Sequence, residues 1–224
     1  LHQHPELSGK EVKTAETMSR FAQLCGASRV VENIGGHGVA AIFESGREGP
    51  TVLVRCELDA LPIREEGEMA YRSVTPGVSH KCGHDGHMAI VSGVGMSVKE
   101  KPLRSGTVIL LFQPAEETGE GAMLVIDDER FSTLKPDYVV SLHNLPGYPE
   151  GAVVLREGSF TASVISLKIK LNGKTAHAAE PENGINPAVA ISEIIDQTAA
   201  LQQPPEQVDF ALVTPVQICM GEEA

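Results

Sequence analysis

Residues 51–58, TVLVRCEL, form a short run that is β-branched and almost continuously apolar. A strand wet on one face alternates apolar and polar positions, whereas one covered on both faces does not need to. Two later runs share the character, TVILLFQ at 107–113 and DYVVSLH at 137–143. A helical pattern follows each of the first two. After 51–58, Met88, Val91, Val94 and Val98 make one stripe from a cap at Asp85, with Gly93 and Gly95 allowing close packing on a sheet. After 107–113, GAMLVIDDERF (121–131) gives a weaker helix. Strand and helix alternate, so the spacing predicts an α/β domain with a mostly parallel central sheet and flanking helices.

Upstream, SGKE at 8–11 has capping-box spacing, with Ser8 as N-cap and Glu11 reaching back. Val12, Ala15, Met18, Ala22 and Cys25 then recur at helical intervals, which predicts a first helix over about 11–25. Past Gly158 the pattern changes. In VISLKIKLNG (164–173) Ile165, Leu167, Ile169 and Leu171 alternate with polar residues, as in a sheet wet on one face. A helix should follow, with Asn186 as cap, Pro187 at its first position and a stripe through Ile191, Ile194, Ile195 and Leu201. FALVTPVQI (210–218) reads as another strand, at an edge or a bulge because of Pro215. The expected division is therefore residues 1–158 and a smaller α+β domain over 159–224.

Composition narrows the partners. Thirty acidic and eighteen basic residues give a net charge of −12, which disfavours nucleic acid and anionic membrane surfaces. No apolar tract reaches the roughly 18 residues that a membrane helix needs. The 42% hydrophobic content suits a buried core. Four scattered cysteines, Cys25, Cys56, Cys82 and Cys219, point to a reducing, cytoplasmic setting rather than a disulfide framework. The chain starts at Leu1 inside a patterned segment and stops at Ala224 just after an apolar stretch, so a truncated form of something longer is expected.

Ligands of parallel α/β sheets bind beyond the carboxyl ends of the strands. There CELDALP offers Glu57 and Asp59, QPAEETGEGA offers Glu116 and Glu117, and DYVVSLH ends in His143. HKCGHDGHM (80–88) precedes the second helix and reaches the same edge with Cys82 and His84, which share one side if that segment is extended. Each feature has an ordinary explanation alone: adjacent loop acids are usually solvated, and a histidine ending a strand is usually a satisfied, half-buried one. Their coincidence on one rim suits a borderline divalent cation, zinc first and manganese, cobalt or nickel after it. Glu116 and Glu117, being consecutive, cannot both address one ion by simple extension. One can serve as ligand while the other takes a proton from water.

Six motifs, LHQHPELSGKE, RCELDALPI, HKCGHDGHM, FQPAEETGEGA, SLHNLPG and GKTAHAAEP, together resemble in order and spacing the amidohydrolase branch of the aminoacylase and carboxypeptidase metallohydrolase family. That branch includes hippurate hydrolases, N-acetyl-diaminopimelate deacetylases and auxin-conjugate hydrolases. The resemblance implies a two-metal catalytic domain (1–158 here) carrying an inserted lid that often dimerises (159–224 here). By position, Cys82, His84, Glu117 and His143 match metal ligands, Glu116 the general base and Asp59 an acid that orients the metal site. His177 matches the lid histidine that reaches the substrate carbonyl. Cys56 and Glu57 stand where the branch usually has alanine and aspartate. The family's last metal-binding histidine would lie beyond Ala224, so the second metal's shell is expected to be incomplete and the chain alone inactive or impaired.

The implied reaction is hydrolysis of an N-acyl amino acid or small peptide by a cation-activated water, with Glu116 as base. Two alternatives stay open on the sequence: a cysteine hydrolase using Cys82, close to a helix N-terminus beside His80 and His84, and a non-catalytic fragment that dimerises through the lid.

Overall fold

The computed structural model describes residues 1–201 and 211–221. The chain separates into two compact units, Leu1–Ala152 and Val153–Ala224.

The first unit is built on a five-stranded sheet: β1 (Arg29–Ile34), β2 (Gly38–Glu44), β3 (Thr51–Glu57), β4 (Thr107–Gln113) and β5 (Tyr138–Ser141), in the order β1-β2-β4-β3-β5. β3 runs parallel to β4 on one side and to β5 on the other. These are the three strands expected from continuous apolar character. β1 and β2 form an antiparallel hairpin, and β2 is also antiparallel to β4, so the sheet is mixed. The hairpin turns through Gly35 at φ 60° and Gly36 at φ 110°, where an L side chain would be strained.

Alternate strand residues feed two cores. On one face Val39, Ala41, Phe43, Cys56, Leu110 and Phe112 pack with Ala15, Met18, Met88 and Val91. On the other, Ala40, Ile42, Leu53, Ile109 and Leu111 pack with Ile34, Val125 and Leu134. Both faces of β3 and β4 are covered, which is why those two strands read as unbroken apolar runs, whereas all four residues of β5 are exposed.

The first face is covered by α1 (Val12–Leu24) and α2 (His84–Glu100). The capping box at the start of α1 does not form. Glu11 occupies the N-cap position without a side-chain bond to its own helix, and Glu6 instead accepts from the Thr14 N–H (2.8 Å) and hydroxyl (2.9 Å). Ser8 and Glu11 are drawn to buried backbone and carboxylate groups beyond the sheet, described below. α2 begins at His84 rather than after Asp85, with left-handed Gly83 at its N-cap. Met88 and Val91 are fully buried, and Val94 and Val98 flank them. Of the two glycines, Gly95 is the close packer: a Cβ there would lie 3.2 Å from the Leu110 side chain, whereas one on Gly93 would meet nothing within 4 Å. The 121–131 segment forms two short helices, α3 (Gly121–Ile126) and α4 (Glu129–Ser132). Asp128 separates them in an extended conformation, accepting from the Arg130 N–H at 2.9 Å and the Gly35 N–H at 2.9 Å.

The second unit contains α5 (Ala188–Ala200), whose first N–H is taken by Asn186 Oδ1 at 2.9 Å, and, among the described residues, a single bridge between Lys174 and Ile185. Two expectations are corrected here. Residues 164–173 are not a strand, and neither are 211–218; Phe210 lies outside the described residues. A strand exists only against a neighbour that takes its N–H and C=O groups, and among the described residues none flanks 164–173. Its apolar side chains are accordingly exposed, Ile165 by 91% and Leu167 by 83%.

Candidate metal centre

Because β3 and β4 are parallel, their carboxyl ends open on one edge of the sheet. Asp59, just past β3, is fully buried there. Its backbone carbonyl accepts from His84 Nδ1 at 2.8 Å, and its carboxylate oxygen Oδ1 lies 3.3 Å from the same nitrogen. This bond assigns the His84 proton to Nδ1 and leaves Nε2 as a lone pair. That nitrogen faces the loop after β4, 3.6 Å from Glu116 Oε2 and 3.7 Å from Glu117 Oε1. His143, beyond β5, repeats the device. Its Nδ1 donates to the Asn144 carbonyl at 2.7 Å, so Nε2 presents its lone pair to Cys82 Sγ at 3.3 Å.

Cys82, His84, Glu116, Glu117 and His143 therefore come together, from three separate segments. Donor atoms of Cys82, His84 and His143 lie within 4.8 Å of one another, as do those of His84, Glu116 and Glu117, with His84 common to both groups. Cys82 and His84 converge differently from expectation. Gly83 between them is left-handed at φ 91°, so the segment is a turn and not extended. A Cβ on Gly83 would sit 2.7 Å from the Asn144 side-chain oxygen, which leaves no room for another residue. Simple extension would also have sent Glu116 and Glu117 to opposite sides, yet both reach His84. The preceding Ala115 has φ 49°, a left-handed conformation costing on the order of 1 kcal/mol for a residue with a Cβ. Gly121 closes the same loop, and a Cβ there would collide with the Pro114 carbonyl at 1.7 Å.

The arrangement fits a divalent cation. His84 Nε2 and Glu117 Oε1 are buried with no hydrogen-bond partner. Each such atom costs about 1–3 kcal/mol unless something satisfies it. The 3.7 Å between His84 Nε2 and Glu117 Oε1 is too long for a hydrogen bond. It is close to the roughly 3.4 Å that separates two ligands about 2.1 Å from a tetrahedral zinc. The pair of glutamates divides by exposure: the Glu117 side chain is 18% exposed and that of Glu116 39%.

Electrostatics tell the same story. Burial, reinforced by the negative charges of Glu117, Glu116 and Glu57, pushes the Cys82 thiol up to about 12. Burial raises the Glu117 carboxyl, and the neighbouring Glu116 and Asp59 charges add to it against the opposing His84. Burial alone would raise Asp59, but bonds from His84, the Glu117 N–H and the Ser8 hydroxyl outweigh it and hold the carboxyl at about 2. The site thus concentrates acid groups with too little positive charge to balance them.

Around these groups lie supporting residues, of which the sequence had not given Ser8, His87 and Asn144 a place at the site. Ser8 donates to Asp59 Oδ2 at 2.7 Å, beside the Glu117 N–H at 2.9 Å. Glu57, the departure from the usual aspartate, is buried; Arg55 donates to one of its oxygens and His87 Nδ1 to the other, at 2.8 Å. His87 Nε2 then accepts the Asn144 N–H at 3.0 Å, one residue from His143. His87 shares the buried face of α2 with His84, Met88 and Val91, a spacing of three, four and seven that marks its burial in the sequence. His80 is buried with neither ring nitrogen partnered, and burial lowers it to about 4. His177 belongs to the second unit, exposed, its Nδ1 accepting from the Ala179 N–H at 3.1 Å.

Known proteins share this chain's sequence and first-unit architecture. An N-acetyl-L-cysteine deacetylase of Bacillus subtilis (strain 168) is 39% identical over 196 residues, covering 87% of this chain and 46% of the relative. An N-acetyldiaminopimelate deacetylase of Geobacillus thermodenitrificans is 33% identical over 222 residues, 99% of this chain and 59% of its own. The chain thus spans about half the length of the curated relatives it matches. A Bacillus subtilis crystal structure described as a dinuclear metal binding peptidase superposes with TM-score 0.61 at 34% identity, covering 66% of this chain and 41% of that one. Residues 53–218, most of the chain and all of its site-bearing strand ends, match a single family profile, and on that match the chain belongs to Peptidase family M20/M25/M40.

Proposed function

We propose that the whole protein is a metal-dependent amidohydrolase that cleaves the amide bond of N-acyl amino acids or small peptides. The observation that carries this is the pair of buried, unpartnered donors, His84 Nε2 and Glu117 Oε1, turned toward each other at 3.7 Å. Relatives named as deacetylases support the substrate class.

Cys82, His84, Glu117 and His143 would hold two divalent ions, zinc before manganese, cobalt or nickel. When bound, such ions lower the pKa of water and polarise the scissile carbonyl. Asp59 keeps His84 in the tautomer that offers Nε2. Glu116, the more exposed of the two glutamates, takes the proton from the attacking water as its oxygen bonds to the carbonyl carbon. When the C–N bond breaks, the same carboxyl returns that proton to the leaving nitrogen. His177 is given the substrate carbonyl on resemblance alone, and a homodimer through the lid and a cytoplasmic setting are proposed with it. A cysteine nucleophile is not favoured, since carboxylates and burial hold Cys82 in its unreactive thiol form.

The test is hydrolysis of a panel of N-acyl amino acids by the full-length protein, before and after chelation and metal return. Glu116→Gln should lower turnover by about 10²–10⁴ with metal content unchanged. Near-normal turnover in that variant, or activity untouched by chelation, contradicts the proposal.

A further inference from the structure

We propose that Glu11, on the first helix and far from the cluster in sequence, is a positioning residue of the metal site, acting through the backbone of Ala115 to aim Glu116 and Glu117. The inference rests on the metal reading above.

Glu11 stands at the N-cap of α1, where a carboxylate ordinarily bonds its own helix. Glu6 has taken that task, accepting from Thr14. The Glu11 side chain, fully buried, turns away and its Oε1 accepts the Ala115 N–H at 2.8 Å, across 104 residues of sequence. Ala115 is the left-handed residue directly before the two glutamates. A non-glycine residue keeps such a conformation only when its surroundings impose it. The next bonds in the loop belong to the same clamp: Gly121 N–H to the Ala115 carbonyl at 2.9 Å, and Glu117 N–H to Asp59 Oδ2 at 2.9 Å. With the first residue of the loop so fixed, both carboxylates lie within 3.7 Å of His84 Nε2.

A second observation separates positioning from mere packing. Glu11 Oε2 is buried without a hydrogen-bond partner. An apolar side chain of similar volume would fill this place at no such cost, so the carboxylate is not explained by core stability. Its one made bond, to Ala115, accounts for it.

The experiment measures zinc affinity by competition with a chromophoric chelator, and folding by circular dichroism, in the full-length protein and in Glu11→Ala, Ala115→Gly and the double variant. Second-layer groups around a metal typically contribute 10–100-fold to affinity, so Glu11→Ala is expected to weaken zinc by at least about tenfold. Glycine adopts the left-handed conformation unaided, so the double variant is expected to recover at least half of that loss on a logarithmic scale, or to fold where Glu11→Ala does not. A structural role for Glu11 would not be relieved by glycine at 115. Affinity in Glu11→Ala within twofold of the unsubstituted protein overturns the inference. So does a double variant that binds no better than Glu11→Ala, or one that stays unfolded with it. Failure of the unsubstituted protein to bind zinc would overturn the metal reading and this inference together, whereas binding indifferent to Glu11 overturns this one alone.

Discussion

His84 and His143 each spend Nδ1 on a backbone carbonyl, at 2.8 and 2.7 Å, and each turns Nε2 toward an acid or thiol partner. That repeated arrangement is what suits the cluster to be a ligand set instead of a network of mutually satisfied groups. Its members were legible in the sequence because cysteine, histidine and adjacent glutamates fell at predicted strand ends. Glu11, Ser8, His87 and Asn144 were not, because their work depends on which loops meet, and that is a property of the folded chain. His87 gives a prediction at this scale. It donates to the buried Glu57, which would keep only Arg55 if the imidazole were removed. His87→Leu should destabilise the protein by about 2–4 kcal/mol, between the cost of an unsatisfied buried acceptor and that of a broken buried pair. Urea unfolding would show it, and a loss below about 0.5 kcal/mol would contradict the network.

Among elements, α1, α2, β3 and β4 followed from their patterns, since each buries a regular stripe or both faces, and β5 from its apolar run although all four of its residues are exposed. The β1–β2 hairpin did not: β1 is an edge strand of mixed burial, and its signal was only the glycine pair between two modest apolar runs. The loop after β4 depends on Gly121, whose missing Cβ would overlap the Pro114 carbonyl. Gly121→Ala should therefore shift Glu116 and Glu117, lowering both the melting temperature and zinc affinity; an unchanged affinity would mean the loop adapts without them. The segment between β3 and α2 supplies a pH dependence. Bonds from Lys81 and the Ser73 N–H, opposed by burial and helped by His2, bring Glu65 from 4.5 to about 2. The carboxyl is more acidic folded than unfolded, so its bonds stabilise fully above pH 4.5 and fade as pH falls toward about 2. Glu65→Gln should flatten the acid limb of the stability curve over that window, as followed by circular dichroism.

Across the whole molecule, every residue of both hydrophobic cores belongs to the first unit. The second unit has no buried residue among those described, and it exposes Val153, Leu155, Val164, Ile165 and Leu167 by 81–91%. The alternation in 164–173 was visible in sequence, but alternation states only which faces would be wet once a partner strand is present. Exposed apolar side chains in such number bind hydrophobic dyes. The folded chain should enhance such a dye's fluorescence, and serine at Ile165 and Leu167 should reduce the signal while leaving the unfolding midpoint of the first unit in place. No described helix is long and apolar enough to cross a membrane.

The proposed function depends on cations being held where these three segments meet. The most direct measurement is anomalous diffraction at the zinc edge from zinc-loaded crystals of the full-length protein. The expected result is a peak about 2.0–2.4 Å from His84 Nε2 and Glu117 Oε1, with Cys82 and His143 coordinating in the same cluster. Zinc bound elsewhere, or a cluster that stays empty in saturating zinc, would contradict the account.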